Sequence, residues 1–173
     1  MLSILDQLRE TLMDKKYRLS ENQHKLFRHY RFFPNDTSYN LAFLYKITGH
    51  LDPARLKHAI ETVYNATDQL KVHFEENENE IFQNFVKNRT YEMEIIHRKP
   101  DESPALFRIY VDNDAKKRLN APIDLACWPL LRFTLYLSQP EENFLFAYAP
   151  HIISDGLSYS RLIDQINQIY NEK

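Results

Sequence analysis

The spacing of apolar residues changes period several times along this chain, and each change marks an element. Leu2, Leu5, Leu8, Leu12 and Met13 recur every three or four residues, which predicts a short amphipathic helix over 2–15 that needs a partner for its apolar face. Ser20 caps a second helix with Leu26, Phe27, Tyr30 and Phe33 along one side, ended by Pro34-Asn35-Asp36. Tyr39 to Thr48 then alternates, with Leu41, Phe43, Tyr45 and Ile47 in phase. This strand stops at Gly49, where a positive φ is tolerated. Asp52-Pro53 is an N-cap followed by proline in the first turn, and Leu56, Ile60, Val63 and Tyr64 give the next helix a buried stripe as far as about Thr67.

Leu70 to Glu75 and Ile81 to Val86 form a predicted hairpin across the acidic segment Glu76 to Glu80, whose charges suit a solvated loop; the central glycine of a calcium loop is missing. Glu92 to Arg98 is a further strand, and Pro104 to Leu119 a helix whose pattern is diluted by Ile109, Tyr110 and Val111. Leu130 to Leu137 and Asn143 to Ala149 make a second hairpin. In its second arm, Phe144, Phe146 and Tyr148 alternate with Leu145, Ala147 and Ala149, so both faces are apolar and the strand should be central. The last helix, Ser158 to Asn171, carries Leu162, Ile163, Ile166, Ile169 and Tyr170 on one face.

Between that central strand and that helix lies Ala149-Pro150-His151-Ile152-Ile153-Ser154-Asp155-Gly156. It sets an imidazole, a carboxylate and one of only two glycines at a strand-to-helix corner, where side chains can face a ligand. By itself the segment also fits an ordinary Asp-Gly turn with a structural histidine.

Length and composition narrow the rest. The 173 residues suit one domain, with 43% hydrophobic and 13% aromatic residues, enough for a well-packed α/β interior without staples. A net charge of −2 and the lack of a basic stripe argue against nucleic acid, and no apolar run is long enough for a membrane span or signal peptide. A soluble, cytoplasmic protein is expected. Cys127 is alone, which excludes an internal disulfide; beside Trp128 and Pro129 it reads as a small buried hydrophobe rather than a nucleophile. The seven histidines lack metal-ligand spacing: His24 and His29 fall on different helix faces, and His58, His73 and His97 are scattered. Two glycines cannot build a phosphate loop, and no Gly-x-Ser-x-Gly elbow occurs.

Three ordered segments resemble the N-terminal half of a nonribosomal peptide synthetase condensation domain, from the chloramphenicol acetyltransferase-like superfamily. Leu19-Ser20-Glu21-Asn22-Gln23 matches the family's Leu-Ser-x-x-Gln segment. Leu70 and Phe74, with Asp68 and Lys71 as conservative changes, loosely match its second motif. Pro150-His151-Ile152-Ile153-Ser154-Asp155-Gly156 matches His-His-x-x-x-Asp-Gly, with Pro150 in place of the first histidine. Gly49-His50-Leu51-Asp52, Pro122-Ile123-Asp124-Leu125 and Pro129-Leu130-Leu131-Arg132 are also similar to the family. The likeness covers about Tyr17 to Tyr170.

The resemblance implies an α/β fold of the α+β sandwich kind, a single chloramphenicol acetyltransferase-like lobe with a mixed sheet flanked by helices. Residues 1–16 would be a leader and 17–173 the lobe, with the second lobe of a full domain absent. It also implies amide formation between acyl groups tethered to carrier proteins, with no bound cofactor and with the phosphopantetheine arm delivering each substrate. His151 would be catalytic, and Pro150, Ser154, Asp155 and Gly156 would shape the site. A histidine side chain ordinarily titrates near about 6.5, so it can take a proton from an amine or hold the amine in place. Lacking the C-terminal lobe, the chain is expected to be inactive alone. Two alternatives are a noncatalytic carrier-docking module and an acyl-CoA transferase that completes its site by self-association, which a native mass would separate.

Overall fold

Each of four helices starts at a residue whose side chain accepts a hydrogen bond from the first turn, which satisfies a donor the helix leaves open. Ser20 opens α1 (Glu21–Phe32), accepting from Gln23 N while the Gln23 side chain accepts from Ser20 N. Asp52 opens α2 (Pro53–Ala66), Ser103 opens α3 (Pro104–Leu119) and Asp155 opens α4 (Gly156–Asn171). The structure, a computed structural model, describes residues 16–78, 80–87 and 89–172. The predicted leader helix over 2–15 lies outside them.

The strands are β1 (Tyr17–Arg18), β2 (Asn40–Thr48), β3 (Val72–Asn77), β4 (Glu80–Phe85), β5 (Glu94–His97), β6 (Arg132–Gln139) and β7 (Glu142–Pro150). The expected mixed sheet is present, in the order β2-β7-β6-β5, with β5 parallel to β6 and the other pairs antiparallel. The parallel pair follows from connectivity, since α3 is the crossover between β5 and β6. Beside it stands a second sheet, β1-β4-β3. The short β1, for which the sequence has no strand signal, pairs Tyr17 with Gln83 and Arg18 with Phe82 on the outer edge of β4.

The double-faced pattern of β7 now has its cause. Leu145, Ala147 and Ala149 pack with Leu56, Ile60, Val63 and Tyr64 of α2 and Tyr159, Leu162 and Ile166 of α4. Phe144, Phe146 and Tyr148 pack with Phe107, Val111 and Ala115 of α3 on the other face. Each such large side chain, fully buried, contributes roughly 1.5–3 kcal/mol. A third cluster, of Leu19, Tyr30, Val72, Phe74, Ile81, Leu125, Leu130 and Ile152, fills the space between α1 and the small sheet. The diluted pattern of α3 reflects Leu106, Ile109 and Tyr110, which are exposed.

Two expectations are corrected. Phe33, placed by its spacing on the buried side of α1, is the C-cap and is exposed together with Phe32, because the helix ends before that stripe completes another turn. Cys127 is exposed rather than buried. The Asp124 carboxylate accepts from Ala126 N, and the Asp124 carbonyl accepts from Cys127 N, so a side-chain turn carries the thiol outward. That thiol donates to Asp124 at 3.2 Å, and the carboxylate raises its pKa, which disfavours a nucleophilic thiolate.

Candidate active site

The last strand residue, Pro150, is buried and sits opposite Asn40 in the β2–β7 ladder. One residue on, His151 N donates to Tyr39 O at 2.8 Å. An antiparallel ladder turns successive nitrogens to opposite sides, so the nitrogen of residue 150 points toward β6. There the ladder has already ended, with Arg132 opposite Tyr148. The missing N–H of proline therefore leaves no ladder bond unmade, although β7 is a central strand. The same Tyr39 carbonyl accepts from the Tyr30 hydroxyl at 2.8 Å, which ties α1 to the point where the chain leaves the sheet. Burial, the largest influence, pushes the Tyr30 phenol up to about 12, so it remains a donor.

Beyond Pro150 the segment alternates outward and inward. His151 is exposed, Ile152 is buried in the small-sheet core, Ile153 packs against that core and the main one, Ser154 is buried, and Asp155 is exposed. Two apolar anchors thus hold the corner while the imidazole and the carboxylate face solvent. Asp155 accepts from Ser158 N at 2.8 Å and from Ser158 Oγ at 2.7 Å. Those donors, Ser158 first and the His151 charge less, hold its carboxyl below the usual carboxylate range. Its work is to cap α4. Gly156 follows at the head of that helix, exposed, with no φ in the left-handed region and with nothing within 4 Å of where a Cβ would stand.

His151 opens on a cavity of about 400 Å³, walled by Asn22, Gln23 and Leu26 of α1, by Gln69, by Val72 and Gln83 of the small sheet, and by the corner itself. Gln23 Nε2 donates to Gln83 Oε1 at 3.1 Å, joining helix to sheet across the cavity wall. Of the residues expected to shape the site, Ser154 and Asp155 line this cavity, whereas Pro150 and Gly156 do not. A larger cavity of about 680 Å³ lies between α1, β3 and residues 122–126, but it holds none of the corner residues. The chemistry converges on the smaller one. Among the described residues, no three His, Cys, Asp or Glu side chains are placed to hold a metal ion, and no helix is long and apolar enough to cross a membrane.

Comparison with known proteins decides the family. The profile of the condensation domain matches residues 13–173, nearly the whole chain. The chain belongs to the condensation-domain family. Among curated relatives of this condensation-domain chain, surfactin synthase subunit 2 of Bacillus subtilis (strain 168) is 24% identical over 94% of the chain and 4% of that protein. Bacitracin synthase 2 of Bacillus licheniformis is 29% identical over 91% of the chain and 6% of that protein.

Among solved structures, the starter condensation domain of rhizomide synthetase RzmA superposes with a TM-score of 0.81 at 20% identity, over 91% of this chain and 37% of that one. The first condensation domain of the CDA synthetase gives 0.77 at 17% identity, over 91% and 40%. A mutant of the rhizomide domain has also been solved in complex with C8-CoA and Leu-SNAC. The condensation-domain chain thus spans under half of the solved domains it matches and a few per cent of the curated synthases.

Gln69 and Gln83 were not singled out by the sequence, because neither lies near the corner in the chain. Tertiary structure alone brings them to its cavity. Gln23 did carry a signal, as the last residue of Leu-Ser-x-x-Gln, and its two roles are to close the α1 cap and to reach Gln83.

Proposed function

We propose that this chain is the N-terminal lobe of a condensation domain that joins carrier-tethered acyl and aminoacyl groups in nonribosomal peptide synthesis, with His151 as its catalytic residue. The observation that carries this reading is the exposed His151 imidazole at the end of a rigid central strand, facing a polar cavity open on one side. In the step proposed, the amine nitrogen of the acceptor attacks the thioester carbonyl of the donor. The carbon–nitrogen bond forms and the carbon–sulfur bond breaks. The thiol of the donor arm leaves, and the ammonium proton passes through the imidazole to the departing sulfur. Holding the amine in line with the carbonyl contributes at least as much as removing its proton.

The phosphopantetheine arms of two carrier proteins would deliver the substrates, and the complex of the rhizomide relative with C8-CoA and Leu-SNAC supports thioester-borne ligands at such a site. No internal group is needed as cofactor. Because the chain spans only 37–40% of solved condensation domains, a C-terminal lobe would supply the opposite wall, and the lone chain should not turn over.

The test combines the chain with a separately produced C-terminal lobe and two loaded carrier proteins, with amide product followed by mass spectrometry. Product is expected only when both lobes are present, and His151→Ala should lower its rate by roughly 10²–10⁴-fold. Equal turnover by the lone chain, or by the His151→Ala variant, would overturn the assignment.

A further inference from the structure

A second cavity of about 220 Å³, which Ser154 lines and His151 does not, lies between the C-terminal end of α2 and the first three turns of α4. It shares Gln69, Ile153, Ser154 and Ser158 with the His151 cavity, so the two chambers meet at these residues. Three features of this chamber point to a ligand. Ser154 is 8% exposed, yet its hydroxyl, although near enough to Tyr159 to favour that phenol's ionised form, makes no hydrogen bond of good geometry. Buried hydroxyls are nearly always satisfied, and one without a partner is a cost the fold does not require. Arg161, exposed on α4, lines the mouth of the same chamber, and no ion pair or hydrogen bond engages its guanidinium among the described residues. No aspartate or glutamate lines the chamber, so its only formal charge is positive. Leu131 and Leu162 supply an apolar wall beside these polar groups.

We infer that this chamber receives a carboxylate carried on the acyl or aminoacyl group being joined, with Arg161 as its ion-pair partner and the Ser154 hydroxyl as a hydrogen-bond donor. The inference rests on the function proposed above, since only a substrate held at His151 would extend a side chain past Ser154. A guanidinium suits a carboxylate because its fork of donors matches two oxygens.

Binding to the chain itself tests this without turnover. Sodium glutarate would be titrated into the isotopically labelled protein at constant ionic strength, with neutral glutaramide as the control, while the Ser154 and Ser158 amides and the Arg161 Nε–H are followed by NMR. Glutarate should shift these signals saturably and glutaramide should not. Arg161→Gln, a surface substitution compatible with the helix, should weaken glutarate binding at least tenfold, and Ser154→Ala should weaken it by a smaller factor. Absence of a saturable shift, equal shifts with glutaramide, or unchanged affinity in Arg161→Gln would each overturn the inference. Product formation by the two-lobe assembly is a separate readout, so loss of one reading leaves the other standing.

Discussion

Replacing Ser154 with alanine should make the protein more stable, which is the opposite of what a buried polar residue beside a catalytic candidate suggests. The hydroxyl is withdrawn from water and lacks a partner of good geometry, and a group in that state costs about 1–3 kcal/mol. Removing it relieves that cost, against a small loss of packing from a single oxygen atom. Backbone geometry is undisturbed, because Ser154 precedes the α4 cap and its side chain is not the capping group. The expected net gain is about 1 kcal/mol, and for a domain of this size each kcal/mol raises Tm by about 2–4 °C. Calorimetry and urea unfolding should agree on it. Ser138, buried in β6 with an equally unpartnered hydroxyl, provides a control remote from the site. A Ser154→Ala protein with an unchanged or lowered Tm would mean that the native hydroxyl is satisfied, and the case for a ligand in the second chamber would lose its strongest support.

Two further predictions concern the frame that holds the corner. The Asp155 carboxyl is held below its unfolded value, so its stabilising contribution is complete above the unfolded pKa of about 3.9 and is lost as pH falls through the lower folded value; Asp155→Asn should flatten this acid limb of the stability curve measured by urea titration, and an unaltered limb would contradict the capping role. Tyr64, buried between α2 and the sheet, donates its hydroxyl to Leu131 O at 2.9 Å; Tyr64→Phe should cost about 1–3 kcal/mol, read as a lower urea midpoint at constant slope, because the Leu131 carbonyl is left without that donor.

Much of this molecule was legible from periodicity, for a physical reason. Where an element is covered on one side, its pattern carries the signal, as in α2 with Leu56, Ile60, Val63 and Tyr64. Where it is covered on both, as in β7, the pattern is doubled, and even that was readable because bulky aromatics fall on one parity and smaller residues on the other. The pattern failed where burial depends on partners remote in sequence. Two residues at Tyr17–Arg18 form a strand only because β4 offers an edge, and Cys127 is turned out by a local carboxylate that no hydrophobicity pattern reflects. The split into two sheets was equally hidden, since a hairpin sequence states that two strands pair but not which sheet they join. At the corner, residue types and spacing named His151 and Asp155, while the amides of Gln69 and Gln83 arrive through the fold.

The placement of the site follows from how the two cores meet. The four-stranded sheet is covered on both faces, by α2 and α4 on one and α3 on the other, so no ligand can approach it except at strand ends. The small sheet and α1 form their own core, and the short segment after β7 enters both cores, through Ile152 on one side and Ile153 on both. A histidine one residue before those anchors is held by two packed bodies at once, yet faces the cleft between them. Helix α1 closes that cleft on one side through Gln23 and Gln83, and Tyr30 and His151 meet at the Tyr39 carbonyl. The position of the imidazole is therefore set by backbone and core rather than by a side-chain partner. Pro150 is compatible with this arrangement, because the corner takes its rigidity from Ile152, Ile153 and the Tyr39 bond and needs no donor at residue 150.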